Sequence, residues 1–110
     1  MAKGDFLGEF EIYVMLALSH LGPEAYGVTI RQEITRRTGR EVAIGAVYAT
    51  LSRLEGKGLV AYTLSNPMPV PGGRTRKHFV LTEPGERALG HATHMLARMM
   101  QGWRTRPQLE

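Results

Sequence analysis

The segment from Val42 to Val60 constrains the fold of this chain more than any other stretch. Val47, Leu51 and Leu54 recur at i, i+4 and i+7, which places their side chains on one face of a helix. Gly58 predicts the end of that helix, and Leu59 and Val60 begin a strand. The opposite face is predicted to present small or planar residues: Ala46, Ala49 and Arg53 near its centre, Thr50 at one edge, and Tyr48 and Ser52 on the other shoulder. Because a solvated helix face normally carries Lys and Glu, we interpret this composition as a surface that a flat partner approaches.

A second helix is predicted directly before this one. A Gly-Pro pair at 22–23 breaks the chain and starts it, Tyr26, Ile30 and Ile34 share a helical face, and Gly39 predicts its end. Two short helices joined by so few residues have the spacing of a helix-turn-helix unit.

The residues after Gly58 predict a hairpin with a long tip. Strands are predicted over Leu59–Leu64 and Arg76–Leu81, separated by a Pro- and Gly-rich loop, Ser65–Thr75. A proline-rich ligand of an SH3-type domain is the alternative for the loop, which the flanking strands disfavour. Three cations follow the glycines of the tip, and we expect them to contact phosphates: Arg74, Arg76 and Lys77.

The first and last helices both favour a homodimer. The first, Phe6–Leu21, is apolar on nearly every face, which predicts burial on two sides, one of them against a second subunit. A central core helix of a monomer is the alternative. Thr82 is the predicted N-cap of the last helix, which carries a heptad-like seam with no later segment to cover it. The seam consists of Leu89, Ala92, Leu96, Met99 and Trp103.

Charge and composition limit the kinds of partner. The chain has 14 Lys and Arg against 10 Asp and Glu, a formal charge of +4, and this balance favours phosphate-bearing partners. Cysteine is absent, which excludes disulfides and thiolate metal sites. No apolar run reaches the ~18 residues of a membrane span, and no signal-peptide cleavage site follows the N-terminus. We therefore expect a cytoplasmic protein without a membrane partner.

The best sequence argument for an enzyme is the pair His91 and His94, three residues apart on the last helix. Two imidazoles at that spacing can share a metal, but no third ligand is apparent, and a surface or interface role explains them as well. Neither a cysteine nor a Ser-His-Asp arrangement offers a nucleophile. The sequence therefore predicts no enzymatic activity, no metal site and no cofactor.

The run from Gly45 to Val60 resembles the recognition-helix segment of the PadR transcriptional regulators. Further similar segments are Leu7–Glu11, Ala25–Gly27 with Ile30, Gly72–Arg74 and Leu81–Gly85, so that the resemblance extends from Leu7 to Leu89. It fits the compact subgroup with a single C-terminal helix. Two departures are Ala43, where a polar residue often precedes the recognition helix, and His78-Phe79, where paired aromatics are common. The resemblance implies a dimeric repressor whose recognition helices enter successive major grooves of DNA while its wings contact the flanks.

The predicted fold is mainly α with a small β-hairpin, a winged helix-turn-helix plus a C-terminal dimerisation helix. Residues 6–81 form the DNA-binding part, 82–104 the dimerisation helix and 105–110 a frayed tail. The predicted DNA-binding residues are Ala46, Tyr48, Ala49, Thr50, Arg53, Arg74, Arg76 and Lys77. Those predicted for the dimer or an effector are Leu89, Leu96, Met99 and Trp103.

The predicted function is sequence-specific binding to a two-fold symmetric operator in double-stranded DNA. The family resemblance implies repression and release by a flat aromatic or cationic effector bound between the subunits, and the Met-rich last helix is compatible with such a pocket. Ordinary dimer packing is the alternative for that helix. Tyr48 can instead be half-buried support, and Arg53 can simply pair with a neighbouring Glu. A winged helix that binds only protein is the alternative function.

Overall fold

The computed structural model describes residues 6–65 and 76–104, and these ranges contain four α-helices and one two-stranded antiparallel sheet. The elements are α1 (Glu9–Leu21), α2 (Gly27–Thr38), α3 (Ile44–Gly56), β1 (Val60–Leu64), β2 (Lys77–Leu81) and α4 (Glu83–Met100), with a single 3-10 turn, Gly22–Glu24, between α1 and α2. The predicted fold class is therefore confirmed.

Helix α1 lies at the centre of the fold. Val14 and Met15 are fully buried, and α2, α3, α4 and β2 all pack against the helix. Much of its apolar surface is thus covered by elements of the same chain, whereas Ile12 lines an open groove. That a second subunit covers one side of the helix stays a prediction. The helix begins at Glu9 rather than Phe6, because Gly8 is the N-cap and its N–H donates to Glu11 Oε1 at 2.9 Å.

Helix α2 begins later than predicted. The Gly-Pro pair forms the 3-10 turn, and Tyr26 is the extended N-cap residue of α2. The Tyr26 N–H donates to Thr29 Oγ1 at 3.0 Å, which fixes the first turn. Gly39 ends the helix in a left-handed conformation with φ 73°, as predicted.

Helix α3 matches its prediction closely. Val47, Leu51 and Leu54 are buried in the core. Ala43 is the N-cap and provides no side-chain hydrogen bond. The helix ends at Gly56, and Gly58 adopts φ 77° before β1.

The hairpin pairs Val60 with Leu81 at its base and Leu64 with Lys77 toward its tip. Phe79 points into the core, and its N–H donates to the carbonyl oxygen of Ala25 at 2.8 Å. Strand β2 is therefore bound both to β1 and to the segment that precedes α2. The predicted Pro- and Gly-rich tip lies outside the described residues.

The start of α4 is fixed to the hairpin. Thr82 is the N-cap, as predicted: its Oγ1 accepts from the Gly85 N–H at 3.0 Å and donates to the carbonyl oxygen of Gly58 at 2.7 Å. A Cβ atom at Gly85 would overlap the carbonyl oxygen of Leu59, so only glycine fits this close approach. The helix ends at Met100, earlier than the predicted residue 104, and the predicted tail 105–110 lies outside the described residues.

Candidate nucleic-acid interface

The exposed face of α3 carries small side chains along its whole length. At roughly 100° per residue, Gly45, Ala49 and Ser52 lie opposite the buried stripe, and all three are exposed. Ala46 and Arg53, predicted at the centre of this face, lie on one shoulder of it, and Tyr48 lies on the other. Because no long side chain stands at the centre, the α3 backbone can approach a flat surface closely.

Thr50 does not belong to this face, and its prediction as a DNA-contacting residue is wrong. Its exposed fraction is 2%. It lies three residues after Val47 and four before Leu54, so helical periodicity places it within the buried stripe. Its hydroxyl accepts a hydrogen bond from Arg53 Nη2 at 3.1 Å. Thr50 therefore supports another side chain and cannot reach a base itself.

Arg53 is exposed but anchored. Its side chain is 57% exposed, and its Nε lies 3.9 Å from Glu11 Oε2 on α1. The alternative that Arg53 pairs with a glutamate is thus partly correct, although the partner belongs to another helix rather than to the same helix surface. The guanidinium is hydrogen-bonded to Thr50 and lies within ion-pair distance of Glu11, while more than half of the side chain faces solvent.

Tyr48 lies across the start of α2. It is 46% exposed, and a Cβ atom at Gly27 would overlap its Cζ and Oη atoms and lie 2.8 Å from Cε2. The ring therefore needs a glycine beneath it, and Gly27 is a positioning residue that the sequence reasoning missed. The only signal was its place in the Ala25–Gly27 segment, and nothing in that segment points to a contact with α3.

The hairpin of β1 and β2 forms the wing, and two of its cations, Arg76 and Lys77, lie over aromatic rings. The Arg76 guanidinium carbon lies 4.5 Å from the Tyr26 ring centroid, and Lys77 Nζ lies 4.1 Å from that of Tyr62. Both cations are exposed, so their charge remains available. Since Tyr26 precedes Gly27, Arg76 and Tyr48 border the same helix start. Arg74 lies outside the described residues.

His78 joins the wing to the chain before α2. Its Nδ1 lies 3.0 Å from the carbonyl oxygen of Pro23, and its ring meets that of Tyr26 edge-on, with centroids 5.7 Å apart. His78 and Phe79 thus fix β2 to the segment before α2 and to the core.

Two further arginines, on α2, are bound to a carboxylate. Arg37 Nε and Arg36 Nη2 both donate to Glu33 Oε2, the latter at 2.7 Å. The hydrogen bond from Arg37 lowers the pKa of Glu33. Burial acts to raise this pKa and Arg36 lowers it further, so the pKa lies below its ordinary value. These cations are therefore paired within α2, while their side chains remain 66% and 48% exposed.

The predicted seam of α4 divides into a buried and an exposed part. Leu89 belongs to the core, whereas Leu96 and Met99 are 55% and 81% exposed. Trp103, predicted on the seam, lies beyond the end of the helix and is 63% exposed, because the chain leaves the helical path at residues 101–102. An open apolar groove of about 320 Å³ runs beside the exposed part, lined by Phe6, Leu7, Ile12, Ala88, His91, Ala92, Met95, Leu96 and Met99.

The histidine pair of α4 is not joined by further ligands. His91 lines the groove and His94 does not. Within residues 6–65 and 76–104, no group of three or more His, Asp or Glu side chains could hold a metal ion. In that part of the chain there is also no helix long and apolar enough to cross a membrane.

Comparison with known proteins gives consistent matches. A sequence profile described as the transcriptional regulator PadR-like family matches residues 15–91. Among solved structures, a PadR-like transcription factor from Bacteroides fragilis has 29% identity and a TM-score of 0.71, with 84% of each chain covered. A PadR family transcriptional regulator from Eggerthella lenta has 30% identity and a TM-score of 0.64, covering 81% of this chain and 75% of that one.

A PadR family transcription regulator from Clostridium difficile has 26% identity and a TM-score of 0.59, covering 82% of this chain and 94% of that one. No curated protein sequence matches in the corresponding search.

Proposed function

Because this chain belongs to the PadR-like family of transcriptional regulators, we propose that it binds a two-fold symmetric operator as a homodimer and represses transcription until a small molecule releases it. The observation that carries this proposal is a smooth exposed face on α3 bordered by an anchored arginine, a tyrosine and the cations of the wing.

Helix α3 is proposed to read base edges in the major groove. Ala46 and Ala49 offer methyl contacts to thymine, and Tyr48 and Arg53 offer polar contacts beside them. Two such helices related by a dyad fit half-sites about one helical turn apart, roughly 34 Å.

The wing is proposed to contact phosphates without reading sequence. Arg76 and Lys77 are exposed, and Arg74 adds a third cation by its place in the sequence. The first-turn amides of α2, next to Tyr26, have no partner within the helix and attract anions. Arg76 and the start of α2 lie beside Tyr48 of α3, and contacts from them to phosphates would fix the register of α3 on the duplex.

The dimer is proposed to form through α4. Leu96 and Met99 are largely exposed on a face that continues into an apolar groove, and Phe6 extends that surface. Large contiguous apolar surfaces of this kind mark interaction sites. A second copy related by a two-fold axis would present the same residues in return.

The effector is proposed to bind in this groove, between the subunits. A volume of about 320 Å³ is in the range of small-molecule sites, and Met95 and Met99 adapt to ligands of different shape. We expect a flat aromatic or cationic compound with Trp103 close to it. Dimerisation and effector binding thus share one surface, and the protein is proposed to act in the cytoplasm.

Selection of bound fragments from random duplex DNA tests the proposal. We expect enrichment of a sequence with two-fold symmetry and binding that weakens steeply with salt. Failure to enrich any sequence would instead favour a winged helix that binds only protein.

The fluorescence of Trp103, the only tryptophan, tests the effector in the same preparation. Planar dyes and phenolic acids are titrated while operator affinity is followed in parallel. Saturable quenching that also weakens DNA binding supports an effector-released repressor, because a ligand that shifts the dimer must bind its two states unequally. Unchanged emission and unchanged affinity would leave the groove as dimer packing only.

A further inference from the structure

Glu11 is a buried carboxylate that joins α1 to the end of α3. Its side chain is only 10% exposed. Oε1 accepts from the Gly8 N–H at 2.9 Å, and Oε2 accepts from Lys57 Nζ at 3.1 Å. The same Oε2 lies 3.9 Å from Arg53 Nε. Two cations, at the last turn of α3 and its C-cap, therefore converge on one carboxylate from another helix.

The charge of Glu11 is preserved despite its burial. Burial alone would raise its pKa, but the Gly8 amide and the Lys57 ammonium, with Arg53 beyond them, bring the pKa below its ordinary value. The carboxylate is thus an anion at neutral pH, hydrogen-bonded to Lys57 and within ion-pair distance of Arg53.

One hydrogen bond and one ion pair restrict the direction of the Arg53 guanidinium. Nη2 donates to the buried hydroxyl of Thr50 at 3.1 Å, and Nε lies 3.9 Å from Glu11 Oε2, an ion-pair distance beyond hydrogen-bond range. A guanidinium carries five N–H donors in one plane, so a hydrogen bond at one nitrogen and a carboxylate facing another favour one orientation of the remaining donors. An arginine on a mobile side chain would instead bind any nearby phosphate.

We propose that Glu11 is a specificity-determining positioning residue: it holds Arg53 at a base edge and keeps Arg53 and Lys57 from binding phosphates indiscriminately. This inference rests on the proposed binding of DNA by α3 and names the residue that controls its selectivity. Glu11 itself does not contact DNA.

The variant Glu11→Gln keeps the shape of the side chain and removes its charge. Affinity is measured for the selected operator and for random duplex at several salt concentrations. We expect random-duplex affinity to rise and its salt dependence to steepen by about one unit, as a released cation meets phosphate. The ratio of operator to random affinity should fall at least about fivefold, the lower end of what a good base contact contributes.

The chain offers a matched control in Glu33→Gln. Glu33 is equally shielded, with a 10% exposed side chain, and binds two arginines, but these belong to α2. We expect this variant to leave the ratio of operator to random affinity unchanged. A fall equal to that of Glu11→Gln would assign the effect to net charge and overturn the inference.

A double-variant cycle separates positioning from stability. In an Arg53→Gln background, Glu11→Gln should cause no further loss of discrimination, because the residue it positions is already gone. Equal losses of operator and random affinity, with an unchanged salt slope, would show a purely structural role for Glu11.

Arg53→Lys covers the case in which Glu11→Gln does not fold. This exposed substitution keeps the charge and loses the planar fork, so discrimination should fall while the salt slope stays constant; unchanged discrimination would overturn the inference.

A wild-type protein that does not distinguish the two duplexes would overturn the proposed function itself. A wild-type protein that distinguishes them, alongside a Glu11→Gln variant that does so equally well, would overturn this inference alone.

Discussion

Replacing Gly27 by Ala should weaken operator binding without unfolding the protein. The added Cβ atom would overlap the outer atoms of the Tyr48 ring, so the ring has to leave its position across the start of α2. Tyr48 is about half exposed and can turn toward solvent. The backbone of α2 does not have to move, because the overlapping atoms are the far end of a side chain.

The free energies involved are of opposite sign and similar size. Ala in place of Gly at a helical position stabilises the protein by about 0.4–1 kcal/mol, because it lowers the conformational entropy of the unfolded chain. Holding the ring about 30° off its rotamer costs about 0.5–1.5 kcal/mol. The free energy of unfolding should therefore change by no more than about 1 kcal/mol. Operator affinity should fall by about 1–3 kcal/mol if Tyr48 loses a base contact.

Two measurements on the same preparation separate these effects: urea unfolding and titration of the operator. Gly90→Ala is the matched control, since nothing lies within 4 Å of a Cβ atom at that helical position. It should stabilise the protein slightly and leave operator affinity unchanged. In a Tyr48→Ala background the obstructing ring is absent, so Gly27→Ala should have no further effect on binding.

The reasoning is refuted if Gly27→Ala binds the operator as tightly as the wild-type protein. It is also refuted if the loss persists in the Tyr48→Ala background, because the loss would then not pass through the ring.

The remaining predictions concern the dimer, the wing and acid stability. Leu96→Asp places an unpaired charge in the proposed seam, so sedimentation should find monomers, whereas a folded wild-type monomer at micromolar concentration would exclude the seam. Replacing Arg74, Arg76 and Lys77 by Gln should weaken binding to every duplex and reduce the salt slope by about one unit per cation, and an unchanged slope would remove the wing from the contact. Because the pKa of Glu33 is lowered from 4.5, its stabilisation is present at neutral pH and is lost as the pH falls below that value through the folded-state pKa. The urea midpoint of Glu33→Gln should therefore depend less on pH in this range than that of the wild-type protein, and an equal dependence would contradict the assignment.

Local sequence patterns were sufficient for the elements of this fold. The spacing of Val47, Leu51 and Leu54 identified the buried stripe of α3, and Thr82 was identified as an N-cap by its residue type and position. Gly39 and Gly58 marked helix ends because their conformations are left-handed. These features depend on periodicity and backbone conformation, which neighbouring residues determine.

The sequence analysis failed where contacts between distant segments determine whether a residue is buried and which partner it has. Thr50 is polar and was assigned to the surface, but the packing of α3 on the core encloses it and Arg53 satisfies its hydroxyl. Glu11 meets Lys57 across 46 residues of sequence, and no local pattern encodes that pair. The error at Trp103 was local instead: the residue continued the heptad spacing, yet the chain leaves the helix just before it, where Gly102 adopts φ 84°.

Sequence reading by a symmetric dimer is tested most directly by titrating the selected operator against a duplex in which one half-site is scrambled. The measurement gives affinity and the number of chains bound, at two salt concentrations. We expect two chains per operator, and we expect scrambling to lower the affinity toward that of random duplex, since each mismatched base pair costs about 1–3 kcal/mol. Equal affinity for both duplexes, or one chain bound to the intact operator, would contradict recognition by a dimer.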